Sequence, residues 1–267
     1  MLTSLQNPLI KQIRKLHRSK ERHKQNLFLL EGTNLLTIAG RIKYPLITVV
    51  ATPKWQCQHL SLWQNLSQQV QRVETVSEEI MARVATTVNP DGVVATASRS
   101  NWQKSIPESI KLGLVLEKLQ DPGNLGTIIR TAVATEVDGL WLSSDSVDLD
   151  HPKVMRASAG EWFRLPMALS DHLCALVQAY QNRGVQIIAT LPAARKTYWE
   201  LDFTRPSLIL LGNESAGLSA ELASLADEQV QIPLSGGVES LNVAIAAALL
   251  LYECQRQWKL KNQLKSG

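Results

Sequence analysis

Six short apolar runs, spaced by helix-like segments, leave the second half of this chain little choice of architecture. Leu112–Glu117, Gly139–Ser143, Leu165–Leu169, Val185–Thr190, Leu208–Leu211 and Gln229–Ile232 read as strands. Most are continuous Val/Ile/Leu runs rather than alternating ones, the pattern of parallel strands buried on both faces. Gly126–Thr135, Lys153–Ala159, His172–Asn182 and Ala220–Leu225 supply the intervening helices. An α/β fold with a parallel sheet covered on both faces follows.

The first half carries a smaller α/β pattern. Asn7–Ser19 reads as an amphipathic helix with Leu9, Ile13 and Leu16 on one face, and Leu27–Leu30, Leu46–Ala51, Val73–Val76 and Gly92–Ala97 read as strands. Thr33–Ala39, Leu60–Val70 and Glu78–Val84 are expected helices. Periodicity is lost over SRSNWQKSIPES, which marks a linker. The expected division is a domain over 1–98, a linker over 99–109 and a second domain over 110–267.

Composition narrows the class further. At 267 residues, 45% hydrophobic and 19% charged, the chain suits soluble globular domains. No apolar run reaches the roughly 18 residues a membrane span needs. Cys57, Cys174 and Cys254 lie far apart and the five histidines form no ligand pattern, so the expectation is reduced thiols, a cytoplasmic location and no metal. The net charge of +4 is modest, but Lys11, Arg14, Lys15, Arg18, Lys20, Arg22 and Lys24 crowd the start against Glu21 alone. That cluster suits either a phosphate-contacting surface or a solvated helix face.

Three stretches could carry chemistry. In IPLSGGVESLNVAIAAALLLYE (232–253) a strand end meets a Gly loop and then a helix, for which Ser240 is the expected N-cap. The helix is expected to be buried over much of its circumference. Such a loop either presents N–H groups to a ligand or simply turns the chain. In DPGNLG (121–126) neither a Rossmann fingerprint nor a P-loop is present. Arg130, on the helix that follows, is a surface ion pair or a site residue. LILLGNESAGLS (208–219) ends a strand in Gly212, which would let a ligand approach the backbone, and leaves Glu214 as a capping acid or a site residue.

Together and in this order, EKLQDPGNLGTIIRTA (117–132), LILLGNESAGLS and IPLSGGVESLNVAIAAALLLYE resemble the motifs of the SpoU (TrmH-like) RNA 2′-O-ribose methyltransferases, within the SPOUT class. The resemblance covers roughly the last 155 residues. It implies S-adenosylmethionine as cofactor, a deep trefoil knot and a homodimer. It places Arg130 as the essential residue, with Asn124, Glu214, Ser240 and Asn242 around it. It assigns cofactor contacts to Thr190, Leu191, Gly212, Asn213, Ile232, Leu234, Ser240, Leu241 and Asn242. KVMRASAGEWFRLP (153–166) matches a further family segment through Arg156, Ser158 and Gly160, whereas Gly237 stands where relatives often carry a larger polar residue. Residues 3–36 look like the family's ribosomal-protein-like substrate-binding domain, which turns Lys11, Arg14, Lys15, Arg18 and Arg22 toward RNA. The implied activity is ribose 2′-O-methylation of structured RNA, ribosomal RNA ahead of tRNA. A non-catalytic RNA-binding or ribosome-assembly factor is the alternative.

Overall fold

The structure, a computed structural model, describes residues 1–101, 105–213 and 216–266, without the side chains of 101 and 264–266. The helices are α1 (Pro8–Lys15), α2 (Ser19–Gln25), α3 (Thr33–Arg41), α4 (Pro53–Gln58), α5 (Leu60–Gln69), α6 (Glu78–Val84), α7 (Pro122–Ala134), α8 (Pro152–Ala157), α9 (Leu173–Gln181), α10 (Ala220–Ser224) and α11 (Val243–Ser266). The strands are β1 (Leu27–Glu31), β2 (Leu46–Ala51), β3 (Arg72–Thr75), β4 (Val93–Ser98), β5 (Leu112–Leu116), β6 (Gly139–Ser143), β7 (Met167–Ser170), β8 (Gln186–Thr190), β9 (Lys196–Thr197), β10 (Ser207–Leu211) and β11 (Glu228–Gln231). The chain divides into two compact units: Met1–Gln103 with Asp148–Phe163, and Lys104–Val147 with Arg164–Gly267.

In the first unit β4 lies between β1 and β2, antiparallel to both, and β3 adds in parallel to β2. Leu9, Ile13 and Leu16 pack with Leu29, Val50, Ile80 and Met81, as the amphipathic spacing predicts. The expected single helix over Asn7–Ser19 is instead broken after Lys15, and a second helix, α2, starts at Ser19. The break turns Arg22 inward.

Arg22 is 1% exposed. Its Nε donates to Asp150 Oδ1 at 3.1 Å, a terminal nitrogen pairs with Asp148, and another donates to the Leu16 carbonyl at 3.2 Å. Asp150 is fully buried and also pairs with Arg99. A buried guanidinium persists only when its donors are met, and here two carboxylates and a carbonyl meet them. Arg22 is therefore not available to RNA, contrary to the sequence expectation. Lys11, Arg14, Lys15 and Arg18 are exposed.

The segment 148–163 follows β6 in sequence but packs entirely as part of this unit. The Trp162 ring lies 5.4 Å from Phe28 and that of Phe163 lies 5.0 Å from Tyr44. Gly160 adopts φ +91°, a left-handed backbone that favours glycine, and a Cβ there would also press on the tip of the Ile38 side chain. Arg156 donates to the Glu31 carboxylate at 2.8 Å, which also accepts the N–H groups of Thr86 (2.9 Å) and Thr87 (3.0 Å). Burial pushes the Glu31 carboxyl up, but the threonine hydrogen bonds and the Arg156 charge outweigh it and hold it below its usual value. The sequence boundary at 110 keeps 148–163 with the second half because periodicity reports chain order, not burial partners.

The second unit holds seven parallel strands in the order β7-β6-β5-β10-β8-β11-β9. β5 and β10 are buried end to end, as continuous apolar runs require. The two-residue β9 was not anticipated. α7 starts four residues before the expected Gly126, because Asp121 Oδ1 caps the Asn124 N–H at 2.8 Å and Pro122 occupies the first turn.

The last helix differs from expectation in two ways. Asn242, not Ser240, caps it: Asn242 Oδ1 accepts the Ala244 N–H at 2.9 Å and the helix begins at Val243. Either residue type can cap, and the chain uses the one adjacent to the apolar run. Burial is also one-sided. Val243, Ala247, Leu250, Leu251 and Cys254 face inward, whereas Ile245, Leu249 and Tyr252 are exposed at helical spacing. Among the described residues no helix is long and apolar enough to cross a membrane.

Candidate active site

In a parallel α/β sheet, ligand sites form where loops leave the carboxyl ends of the strands. Here β5, β10, β8 and β11 are consecutive neighbours, so the loops after them share one edge. All three motif stretches begin in those loops or end in them.

Asn124 and Asn242 come together although 118 residues separate them. Asn242 Nδ2 donates to Asn124 Oδ1 at 2.9 Å, while Asn242 Oδ1 caps α11. One amide side chain thus ties the start of α11 to the first turn of α7. Further along α7, Arg130 is exposed and makes no hydrogen bond or ion pair among the described residues. The ion-pair reading of Arg130 has no partner to support it. Ser240 is exposed in the loop before α11, and its hydroxyl likewise makes no hydrogen bond among the described residues. Leu234 is 37% exposed and Leu241 half-buried in the same loop.

After β10, Asn213 and Gly217 exchange backbone hydrogen bonds at 3.1 and 2.9 Å, closing a tight loop. Asn213 Nδ2 donates to the Lys118 carbonyl at 2.9 Å, and its Oδ1 accepts from the Ala216 N–H at 3.1 Å. A Cβ on Gly212 would lie 2.1 Å from the Gly217 carbonyl carbon. Gly212 is therefore needed so that its own loop can fold back, a different reason from the ligand approach expected of it. Glu214 lies outside the described residues.

On the neighbouring strand, Thr190 ends β8 and pairs with Val230 in β11, and the Leu191 N–H donates to the Val230 carbonyl at 2.9 Å. Ile232 follows β11, half-buried. Thr190 Oγ1 is buried without a hydrogen-bond partner among the described residues. A buried hydroxyl left alone is costly, and an incoming polar ligand would relieve it. Together with the exposed loop 233–240, that hydroxyl fits a small ligand rich in hydrogen-bonding groups.

Two contributors were missed in the sequence. Asp121, the cap of α7, was legible as an Asp before Pro. Glu117 is 8% exposed, and its Oε2 accepts the Ser219 N–H at 2.7 Å, joining the loop after β5 to the start of α10. Its apolar neighbours made it look like the end of a strand.

Comparison with known proteins decides the family. Residues 111–252 match the SpoU rRNA Methylase family, and residues 7–95 match an MRM3-like substrate binding domain. The chain belongs to the SpoU family. It is 48% identical over 256 residues to an uncharacterized tRNA/rRNA methyltransferase of Synechocystis, covering 96% of this chain and 93% of that protein. It is 32% identical to the 23S rRNA (guanosine(2553)-2′-O)-methyltransferase RlmP of Bacillus subtilis, over 94% of this chain and 97% of that protein. An AdoMet-bound rRNA methyltransferase from Sinorhizobium meliloti superposes with a TM-score of 0.83 at 31% identity, covering 96% of this chain and 97% of that one. As a SpoU enzyme the chain is a methyltransferase that uses S-adenosylmethionine.

Proposed function

We propose that this enzyme transfers a methyl group from S-adenosylmethionine to the 2′-hydroxyl of a ribose in ribosomal RNA. The observation that carries the reading is Arg130, an exposed and unpartnered guanidinium on the helix whose first turn is locked by the Asn124–Asn242 bond. RlmP, similar over nearly the whole chain and named as a 23S rRNA enzyme, favours ribosomal RNA. A tRNA (guanosine(18)-2′-O)-methyltransferase of Escherichia coli, 37% identical, matches only 55% of this chain, which makes tRNA the second reading.

The cofactor, when bound, supplies an electrophilic sulfonium methyl. Thr190, Leu191, Gly212, Asn213, Ile232, Leu234, Ser240, Leu241 and Asn242 would hold it, with the unpartnered Thr190 Oγ1 free to take a hydrogen bond from it. Arg130 acts as a hydrogen-bond donor and not as the base. Its planar fork holds the target phosphate and stabilises the alkoxide charge that develops on the 2′-oxygen. The proton leaves to a phosphate oxygen or to water. Ser240 donates to the ribose from its open loop, and Glu214 serves in RNA handling.

The reading extends to assembly. Ile245, Leu249 and Tyr252 form an exposed apolar stripe on α11 that a second copy of the chain covers, which gives a homodimer. Leu249→Glu is expected to yield monomers in sedimentation; an unchanged dimer rules out this face. The segment 110–267 is the catalytic domain and is knotted, 1–98 grips RNA through Lys11, Arg14, Lys15 and Arg18, and 99–109 links them. The enzyme works in the cytoplasm, where its RNA is.

The test is tritium transfer from labelled S-adenosylmethionine to separate pools of ribosomal RNA and tRNA, digested to alkali-resistant dinucleotides. Resistant label in the ribosomal pool, lost with Arg130→Ala, is expected. Label in the tRNA pool alone moves the substrate to tRNA. Cofactor binding with no transfer to either pool returns the assembly-factor reading.

A further inference from the structure

A second cleft, of about 720 Å³, opens along the carboxyl ends of β5, β6 and β7, and none of the residues assigned above to cofactor or catalysis lines it. Its volume is in the range of small-molecule sites, roughly 300–1,000 Å³. Its position also marks it. The chain leaves β5 for β6 on one side of the sheet and leaves β10 for β11 on the other, so β5 and β10 flank the point where strand order reverses. Lys118, after β5, and Ser219, after β10, both line the cleft, which places it at that switch point.

Lys118 is unusual in its backbone as well as its place. It adopts φ +56°. Every other described non-glycine residue with positive φ (Asn26, Lys43, Glu136, Ala159) sits at a helix end, where that conformation caps the helix. Lys118 follows a strand. Three hydrogen bonds hold it there, from its N–H to Ser143 Oγ (2.8 Å) and from Asn213 Nδ2 (2.9 Å) and Gln120 Nε2 (3.3 Å) to its carbonyl. Its side chain is exposed and Nζ makes no hydrogen bond or ion pair among the described residues. A strained position pinned on both sides, presenting a free cation to a cleft, is the kind of outlier that points to a ligand.

The rest of the lining decides the chemistry. Lys118 is its single lysine or arginine, against the carboxylates of Glu117, Asp145, Asp171 and Glu221. A bare anion is repelled by such a wall, and a cation alone leaves Lys118 idle. Leu173 and Leu222 close its floor, 7% and 1% exposed, and Ala175 on α9 adds an open apolar edge. A flat ring with N–H donors on its edge and a phosphate attached satisfies all three features. We propose that this cleft is a nucleotide subsite that takes an unpaired nucleotide of the RNA, with its phosphate on Lys118 Nζ and its base against the apolar edge at Ala175, its amine edge toward the carboxylates. The proposal rests on the RNA reading given above.

Two variants test it in the full-length protein. Lys118→Gln removes the charge, and Ala175→Trp, at an exposed position of the lining on α9, fills the cleft from outside the core. RNA affinity is measured across a salt series, and guanosine monophosphate is titrated by NMR. Lys118→Gln is expected to weaken RNA three- to tenfold and to lower the slope of log affinity against log salt by about 0.7, one single-strand phosphate. Ala175→Trp is expected to weaken RNA with the slope unchanged and to abolish the nucleotide-induced shifts. For both, the KM for RNA rises while kcat at saturating RNA and S-adenosylmethionine affinity hold. Unchanged RNA affinity and slope in both variants overturn the proposal, and if guanosine monophosphate still binds, the cleft serves free nucleotides instead. A wild type that transfers no methyl but binds RNA less well in the variants removes the reaction and keeps the subsite.

Discussion

Arg22 and Arg130 look alike in the sequence, each a cation on a helix, yet the structure gives them opposite environments. Arg22 is 1% exposed and enclosed by Asp148, Asp150 and the Leu16 carbonyl. Arg130 is exposed and has no partner among the described residues. The charge is the same, so what separates structure from chemistry is whether the fold supplies acceptors. A guanidinium whose donors are filled holds the protein together, and one whose donors are open waits for a substrate.

The contrast can be broken most forcefully at Arg22. Arg22→Met leaves the buried Asp150 and the half-buried Asp148 without the guanidinium that joins them and is expected to cost about 3–5 kcal/mol, read by urea denaturation, with RNA affinity per folded molecule unchanged. A near-neutral result would mean that the buried pair contributes little. Arg130→Ala is expected to do the reverse, lowering methyl transfer ~100-fold or more while the denaturation midpoint stays put. If Arg130→Lys kept most of the turnover, the planar fork would not be what the reaction needs.

The exposed cations of α1 and its flank sharpen the same comparison. Replacing Lys11, Arg14, Lys15 and Arg18 with Gln is expected to weaken RNA at least ~10-fold and to flatten the salt slope by roughly 0.7–0.9 for each lost phosphate contact. Stability should barely move, because none of the four is buried. Adding Arg22 to the set should change stability and not the slope.

The smallest effect concerns pH. The Glu31 carboxyl is held below its ordinary value of 4.5, so the unfolded chain takes up the proton first as pH falls. Its stabilisation is therefore complete above about pH 4.5 and is lost progressively below it. Glu31→Gln is expected to lower stability at pH 7 by ~1–3 kcal/mol and to flatten the acid limb of a stability–pH curve. Equal acid sensitivity in the variant would assign that limb to Asp148, which Ser19 and Arg22 hold down against the opposing effect of burial.

Much of this was legible from residues alone, for a physical reason in each case. The strands β5, β8 and β10 show in the sequence because burial on both faces demands unbroken apolar runs. The three motif stretches fall in loops that leave one edge of the sheet. Arg22 was misread because its acceptors lie 126 and 128 residues away, beyond any local pattern. The cap of α11 was misplaced by two residues because Ser240 and Asn242 can both cap, and only the fold shows that Asn242 also reaches Asn124. Lys118 carried no signal, since a left-handed backbone at a lysine leaves no mark on composition.

The excursion 148–163 also bears on how the protein is made. The ribosome releases Met1–Gln103 first, yet the aspartates that neutralise Arg22 and the aromatic pair that meets Phe28 and Tyr44 emerge 45 to 60 residues later. At about 5–20 residues per second, the nascent first unit stays incomplete for roughly 3–12 seconds, with a guanidinium and an apolar face awaiting chain not yet synthesised.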